Sequence, residues 1–183
     1  MAQYARPDAT LDTDTESSGN GWTDQGSGAN LHLAIDETSA DDGTTYITTT
    51  DEGGDEGCLI RLSDVSAPGS TGTYIKYKAT TEDQSWGGQP GLKLELLQGT
   101  TVKATTTNSS VSTSAWTAYS YTISDVSGIS DWTDLRLRIT MTTSAGMSDY
   151  MRVTQAYLET QDASGGSTAT PTALNTYQQM RNN

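Results

Sequence analysis

The sequence has one cysteine, Cys58, and one histidine, His32, among 183 residues. A lone cysteine excludes an intrachain disulfide and any Cys-rich zinc site. A lone histidine leaves little material for acid–base or metal chemistry. Phenylalanine is absent, so four Trp and nine Tyr must carry the aromatic packing. Lys and Arg number 10 against 23 Asp and Glu, a net charge of −13. Phosphate binding needs clustered positive charge, so nucleic acid is not the expected partner. No apolar run approaches the ~18 residues of a membrane span. The start, Met1-Ala2-Gln3-Tyr4-Ala5-Arg6, has no apolar core of the kind a secretory signal needs. Hydrophobic residues make up only 33%, fewer than a globular chain usually carries.

The few apolar residues nevertheless fall at period two. Leucines alternate with charges in Leu92-Lys93-Leu94-Glu95-Leu96, and more strictly in Leu135-Arg136-Leu137-Arg138-Ile139-Thr140-Met141. Successive strand side chains point to opposite faces, so each segment has one core face and one wet face. The same reading fits Leu31 to Ile35, Thr45 to Thr49, Cys58 to Ser63 and Tyr74 to Thr80. It also fits Thr101 to Thr107, Trp116 to Ile123 and Met151 to Glu159. Roughly nine strands separated by turn-rich loops predict an all-β, antiparallel, jelly-roll-like sandwich. Threonine accounts for the low hydrophobicity, because it is β-branched yet leaves an outer face polar. Leu94, Leu96, Leu135, Leu137 and Ile139 are the expected central core.

Gly99 marks the clearest hairpin, since a tight turn between Leu92 and Thr107 needs a positive φ there. Residues 50–57 read as an acidic glycine-rich loop, and 81–91 as a second long loop holding Trp86. Residues 124–134, around Val126 and Trp132, have room for one helical turn. No internal repeat is visible. After Gln161 the composition changes to a flexible linker, Ser164-Gly165-Gly166-Ser167. Leu174, Tyr177 and Met180 then recur at spacing three, as on one side of a short helix. The chain therefore divides into a sandwich over 1–160 and an attachment tail over 161–183, whose Leu174, Tyr177 and Met180 are the expected partner-binding residues.

Candidate sites are sparse. His32 falls opposite Leu31 and Leu33 in phase, as a surface or interface residue. Cys58 is in phase with Ile60 and Leu62, as a core residue. No pair of carboxylates stands out for hydrolysis, so the chain is expected to be no enzyme and to need no cofactor. Asp12, Asp14 and Glu16, and the acidic run 51–56, offer oxygen ligands for a structural calcium. They fit no EF-hand, because Ser17 stands where the loop needs glycine. Trp22, Trp116 and Trp132 read as core or edge packing. Trp86, between Ser85 and Gly87-Gly88, is the residue that would stack on a sugar if the chain were a carbohydrate-binding β-sandwich module.

Several segments in order resemble a sandwich domain of tailed-phage virion proteins. They include Arg6-Pro7-Asp8, Gly21-Trp22-Thr23, Leu31-His32-Leu33-Ala34-Ile35-Asp36-Glu37 and Asp41-Asp42-Gly43-Thr44-Thr45-Tyr46-Ile47. Tyr74-Ile75-Lys76-Tyr77, Leu94-Glu95-Leu96-Leu97-Gln98-Gly99, Trp116-Thr117-Ala118-Tyr119, Trp132-Thr133-Asp134-Leu135-Arg136-Leu137-Arg138 and Val153 to Glu159 complete the set. The resemblance covers residues 5–160 and implies a jelly roll with a structural virion role. It points to a capsid decoration, or cement, protein on the capsid exterior. The major capsid protein is then its partner and a homotrimer its assembly, with a tail or fibre component as the neighbouring alternative. The resemblance supplies no catalytic residues.

Overall fold

A computed structural model describes residues 1–16, 21–25, 28–49, 55–69, 72–82, 89–142 and 150–162. Eleven strands are present among them. In chain order they are β1 (Ala2–Ala5), β2 (Pro7–Asp12), β3 (Trp22–Asp24), β4 (Ile47–Thr49), β5 (Glu56–Leu62) and β6 (Thr73–Glu82). There follow β7 (Gly91–Gln98), β8 (Thr101–Asn108), β9 (Thr117–Ile123), β10 (Leu135–Thr142) and β11 (Tyr150–Gln161). They form two antiparallel sheets. Sheet A runs β3-β4-β11-β6-β9, with β1 also on β11; sheet B runs β2-β5-β10-β7-β8. The chain passes from one sheet to the other at Ala5-Arg6-Pro7. The expected jelly-roll-like all-β sandwich is the observed fold.

Alternation builds the core as expected. Leu94, Leu96, Leu135, Leu137 and Ile139 are all buried, and β10 pairs with β7 so that Leu137 faces Leu96 and Ile139 faces Leu94. Ile75, Tyr77 and Ala79 on β6 oppose them from sheet A, with Met151, Val153, Ala156 and Leu158 of β11. Apolar side chains from two inner faces, roughly 10 Å apart, suffice for such a core. The wet phase of sheet B holds ion pairs instead, Arg138 Nη1 to Glu95 Oε2 at 3.2 Å and Arg61 Nε to Asp8 Oδ1 at 2.8 Å. Cys58 is fully buried between the sheets, as its phase implied. The turn at Gly99 has the φ of +57° that the hairpin requires.

Three expectations need correction. Leu31 to Ile35 is not a strand. Leu31–Ala34 is a 3-10 helix, closed by Leu33 N–H to Asn30 O and Ile35 N–H to His32 O. A strand would bury Leu31 and Leu33 together, but Leu31 and Ala34 are buried and Leu33 is 60% exposed, the spacing of a three-residue turn. Residues 124–134 hold no helix. Two Asx turns set their course, with Asp125 Oδ1 accepting from Ser127 N–H and Asp131 Oδ1 from Thr133 N–H, each at 2.9 Å. Glu56 and Gly57 belong to β5 rather than to an acidic loop. The first 24 residues, placed in the sandwich with no strand assigned to them, contribute β1, β2 and β3. These strands are short, and none shows a sustained alternation of its own.

One irregularity shapes the surface. The register of β11 shifts between Val153 and Gln155. On one edge β11 pairs with β4 at Arg152 and Val153 and with β1 from Leu158 to Gln161. In the gap, Ala156 N–H donates to Ile35 O at 3.3 Å. The bulged Thr154 is buried, and its hydroxyl donates to Thr45 O at 2.8 Å. The chain between Ile35 and β4 is thus anchored at both ends to β11.

Candidate functional site

The two sheets differ sharply in what they show to solvent. None of the five strands of sheet B contains an aromatic residue, whereas the strands of sheet A carry eight. Of those in the inward phase, Trp22 and Tyr77 are buried and Tyr121, opposite Ile75, is half-buried against the core. Tyr119 stacks on Tyr77 at 5.1 Å between ring centroids, along the core's edge. Tyr4, Tyr74 and Tyr157 fall in the outward phase.

Register brings these three together. On the outer face of sheet A, Tyr4 of β1, Glu159 of β11, Tyr74 of β6 and Thr122 of β9 form one row across the strands. Tyr157, Lys76 and Ser120 form the next. Tyr4 and Tyr157 meet edge to face, with ring centroids 5.9 Å apart. Arg6 lies against both rings, its Cζ 4.9 Å from the Tyr157 centroid and 5.6 Å from that of Tyr4. Lys76 Nζ sits 5.6 Å from the Tyr74 ring and 2.7 Å from Glu159 Oε2. The hydrogen bond to Glu159 holds the Lys76 ammonium protonated above the usual lysine range. Four strands at their usual spacing make this patch about 14 Å wide. Tyr4 is 47% exposed.

A strap over residues 36–46 bounds the patch on one side. It leaves the 3-10 helix, crosses the outer face above β11 and β6, reaches the start of β9 and returns to β4. Glu37 O accepts from Gln155 Nε2 at 2.6 Å and from Arg6 Nη1. Asp42 pairs with Lys78 Nζ at 2.6 Å. At the tip Asp42 has φ +43° and Gly43 φ +103°, and Gly43 backs onto the Trp116 indole. Tyr46, beyond the tip, lies 5.8 Å from the Trp116 ring and 5.5 Å from Arg152 Cζ. The strap therefore forms a wall beside the tyrosine rows. Four cations, Arg6, Lys76, Lys78 and Arg152, are gathered on this one face of a strongly acidic chain.

The residues singled out in the sequence fall elsewhere. Trp22 and Trp132 are core residues, as expected. Trp116 takes the edge position instead, half-buried under the strap tip. Trp86, Leu174, Tyr177 and Met180 lie outside the described residues. His32 is half-buried, with Nδ1 3.1 Å from the Thr10 hydroxyl. Burial pushes the Cys58 thiol pKa strongly up, against a smaller opposing hydrogen bond involving Ile139, so the sulfur is held as an inert thiol. Asp12 Oδ1 accepts from Asp14 N–H at 3.0 Å, a local turn. Among the described residues, no three His, Cys, Asp or Glu side chains are placed to hold a metal ion. The tyrosines escaped the sequence reading although a signal existed. Tyr74 and Tyr157 each sit beside buried strand residues, Ile75 and Ala156, so each is a large ring in the phase reserved for solvent.

No protein-family model and no curated protein matches the sequence. Solved structures do. A Stig cyclase, Fisc, from Fischerella sp. TAU superposes with a TM-score of 0.51 at 16% identity, covering 88% of this chain and 100% of that one. The family 30 carbohydrate-binding module of a cellulosomal cellulase of Clostridium thermocellum superposes with a TM-score of 0.51 at 14% identity, covering 86% of this chain and 96% of that one. At these identities the likeness is one of fold. It agrees with the jelly-roll architecture that the virion resemblance implied and lends nothing to the virion role itself. The fold carries binding modules and cyclases alike, so function must be argued from the site.

Proposed function

We propose that the chain is a non-catalytic module that binds carbohydrate on the outer face of sheet A. The observation that carries the reading is the convergence of Tyr4, Tyr74 and Tyr157 on one face, beside Glu159, Lys76 and Arg6. A sugar ring has an apolar face of C–H groups and a rim of hydroxyls. Tyrosine offers a flat apolar ring with a polar tip, which suits both parts. Carboxylate and ammonium groups beside the rings supply acceptors and donors for the hydroxyls. The strap walls one side, so a short run of sugar units would lie across the strands, along the rows. The family 30 module has a similar fold and binds carbohydrate by its name; at 14% identity it supports the architecture and not the ligand.

This reading concerns what the face binds, not where the chain is displayed. Binding at this face is compatible with the role implied by the sequence resemblance, a capsid decoration protein held on the major capsid protein as a homotrimer.

Binding to immobilised polysaccharides, read as retardation in affinity gels, tests the proposal. The double variant Tyr74→Ala/Tyr157→Ala is expected to abolish retardation while keeping the β-type circular dichroism spectrum. Trp86→Ala is expected to leave retardation unchanged. Retardation that survives the tyrosine variant and disappears with Trp86→Ala would move the site to the loop around Trp86.

A further inference from the structure

A cavity of about 370 Å³ opens at the corner of the sandwich where β3, the 3-10 helix and the end of the strap meet. It is separate from the tyrosine rows of β1, β11 and β6. Its volume lies within the range of small-ligand sites. Asp24, Gln25 and Asn30 supply its polar side chains, Leu33 and Ala34 its apolar ones, and Thr45 and Tyr46 the remainder.

Two features of this lining set what it could hold. The first concerns Gln25 and Asn30. Their backbones are engaged, Gln25 N–H with Tyr46 O and Asn30 O with Leu33 N–H. Both side chains are exposed, and neither amide makes a hydrogen bond among the described residues, so their two donors and one acceptor each are open to solvent or to a ligand. The second is Leu33. The 3-10 geometry that buries Leu31 and Ala34 turns Leu33 outward to 60% exposure, beside those amides. Uncommitted amides next to an exposed apolar side chain match a small ring with hydroxyls on its rim and C–H groups on its face. Asp24 is the only formal charge in the lining, which disfavours anions on a chain of net charge −13.

We propose that this corner cavity is a binding site for a single neutral sugar ring, with Gln25 and Asn30 taking its hydroxyls and Leu33 its apolar face. The site is independent of the tyrosine rows and stands whether or not they bind a glycan.

The test is a nuclear magnetic resonance titration of the full chain with four probes in turn: the methyl glycosides of glucose, galactose, mannose and N-acetylglucosamine. The side-chain amide signals of Gln25 and Asn30 are assigned by their loss in Gln25→Ala and Asn30→Ala. At least one probe is expected to shift both pairs of signals saturably. Each alanine variant should then weaken that probe by about fivefold or more, the worth of a ligand hydrogen bond. Tyr157→Ala should leave its affinity unchanged. Failure of all four probes to move either pair of signals overturns the proposal. So does a shift whose midpoint is the same in Gln25→Ala and Asn30→Ala as in the parent chain. Loss of binding in the affinity gels with this titration intact would count against the tyrosine face alone.

Discussion

The guanidinium carbon of Arg6 lies 4.9 Å from the centroid of the Tyr157 ring, and the same side chain donates to the carbonyls of Asp36 and Glu37. One residue at the crossover between sheets thus fixes a ring of the tyrosine patch and the strap that walls it. A planar guanidinium suits both tasks at once, because it stacks through its face and donates through its edge.

Removing that link should be felt in both places. Arg6→Ala is expected to cost about 1–3 kcal/mol of stability, the sum expected for a charged donor and a cation–π contact. Arg6→Lys keeps the charge without the planar fork and should recover only part of the loss. Urea denaturation of the three proteins checks this; equal midpoints for Arg6→Ala and the parent would show that the strap holds itself.

Leu137 and Leu33 form a matched pair for the core assignment. Leu137 is buried opposite Leu96, while Leu33 faces outward from its 3-10 turn. Leu137→Ala should cost about 2–5 kcal/mol. Leu33→Ala should change stability by no more than about 0.5 kcal/mol. A reversal of that order in thermal or urea unfolding would contradict the phase of β10.

Acid should loosen the 124–134 loop before the sheets. The hydroxyl of Thr133 is the main reason that the Asp131 carboxyl lies below the usual carboxylate range, helped by the Thr133 backbone N–H; Ser127 acts likewise on Asp125. A depressed folded-state pKa contributes stability at pH above the unfolded value, about 3.9. That contribution is lost as pH falls through the lower, folded value. Carboxyl carbon shifts followed against pH should show Asp131 titrating below ordinary aspartates. Thr133→Ala should move it back towards them and leave Asp125 unchanged.

The attachment role proposed for Leu174, Tyr177 and Met180 is open to a truncation. The cut belongs after Asp162, because its N–H donates to Met1 O at 2.7 Å and it bridges to Pro68. The shortened chain is expected to keep its melting temperature and to sediment as a smaller species than the full chain. Identical sedimentation of the two would make the tail dispensable for self-association.

The local pattern of the sequence was enough to determine the class of fold, the inner faces of β7 and β10 and the burial of Cys58; the bulge in β11, which reverses its phase after Val153, was not legible. Alternation between leucine and charge in 92–96 and 135–141 allows only one face to be dry, and that constraint needs no partner strand. Short segments escaped it. Leu31 to Ile35 alternates like a strand, yet a 3-10 turn buries Leu31 and Ala34, and five residues do not separate the two periods. The tyrosine patch was beyond any local pattern. Tyr4, Tyr74 and Tyr157 stand far apart in the chain, and only the register of β1 and β6 on β11 sets them side by side. The same holds for the wall beside them, since Glu37 meets Arg6 and Gln155 only after the strap folds back over β11. Period two in a strand states which side chains share a face; which strands lie next to one another is decided by pairing across the whole sheet, where the energy of any one local choice depends on all the others.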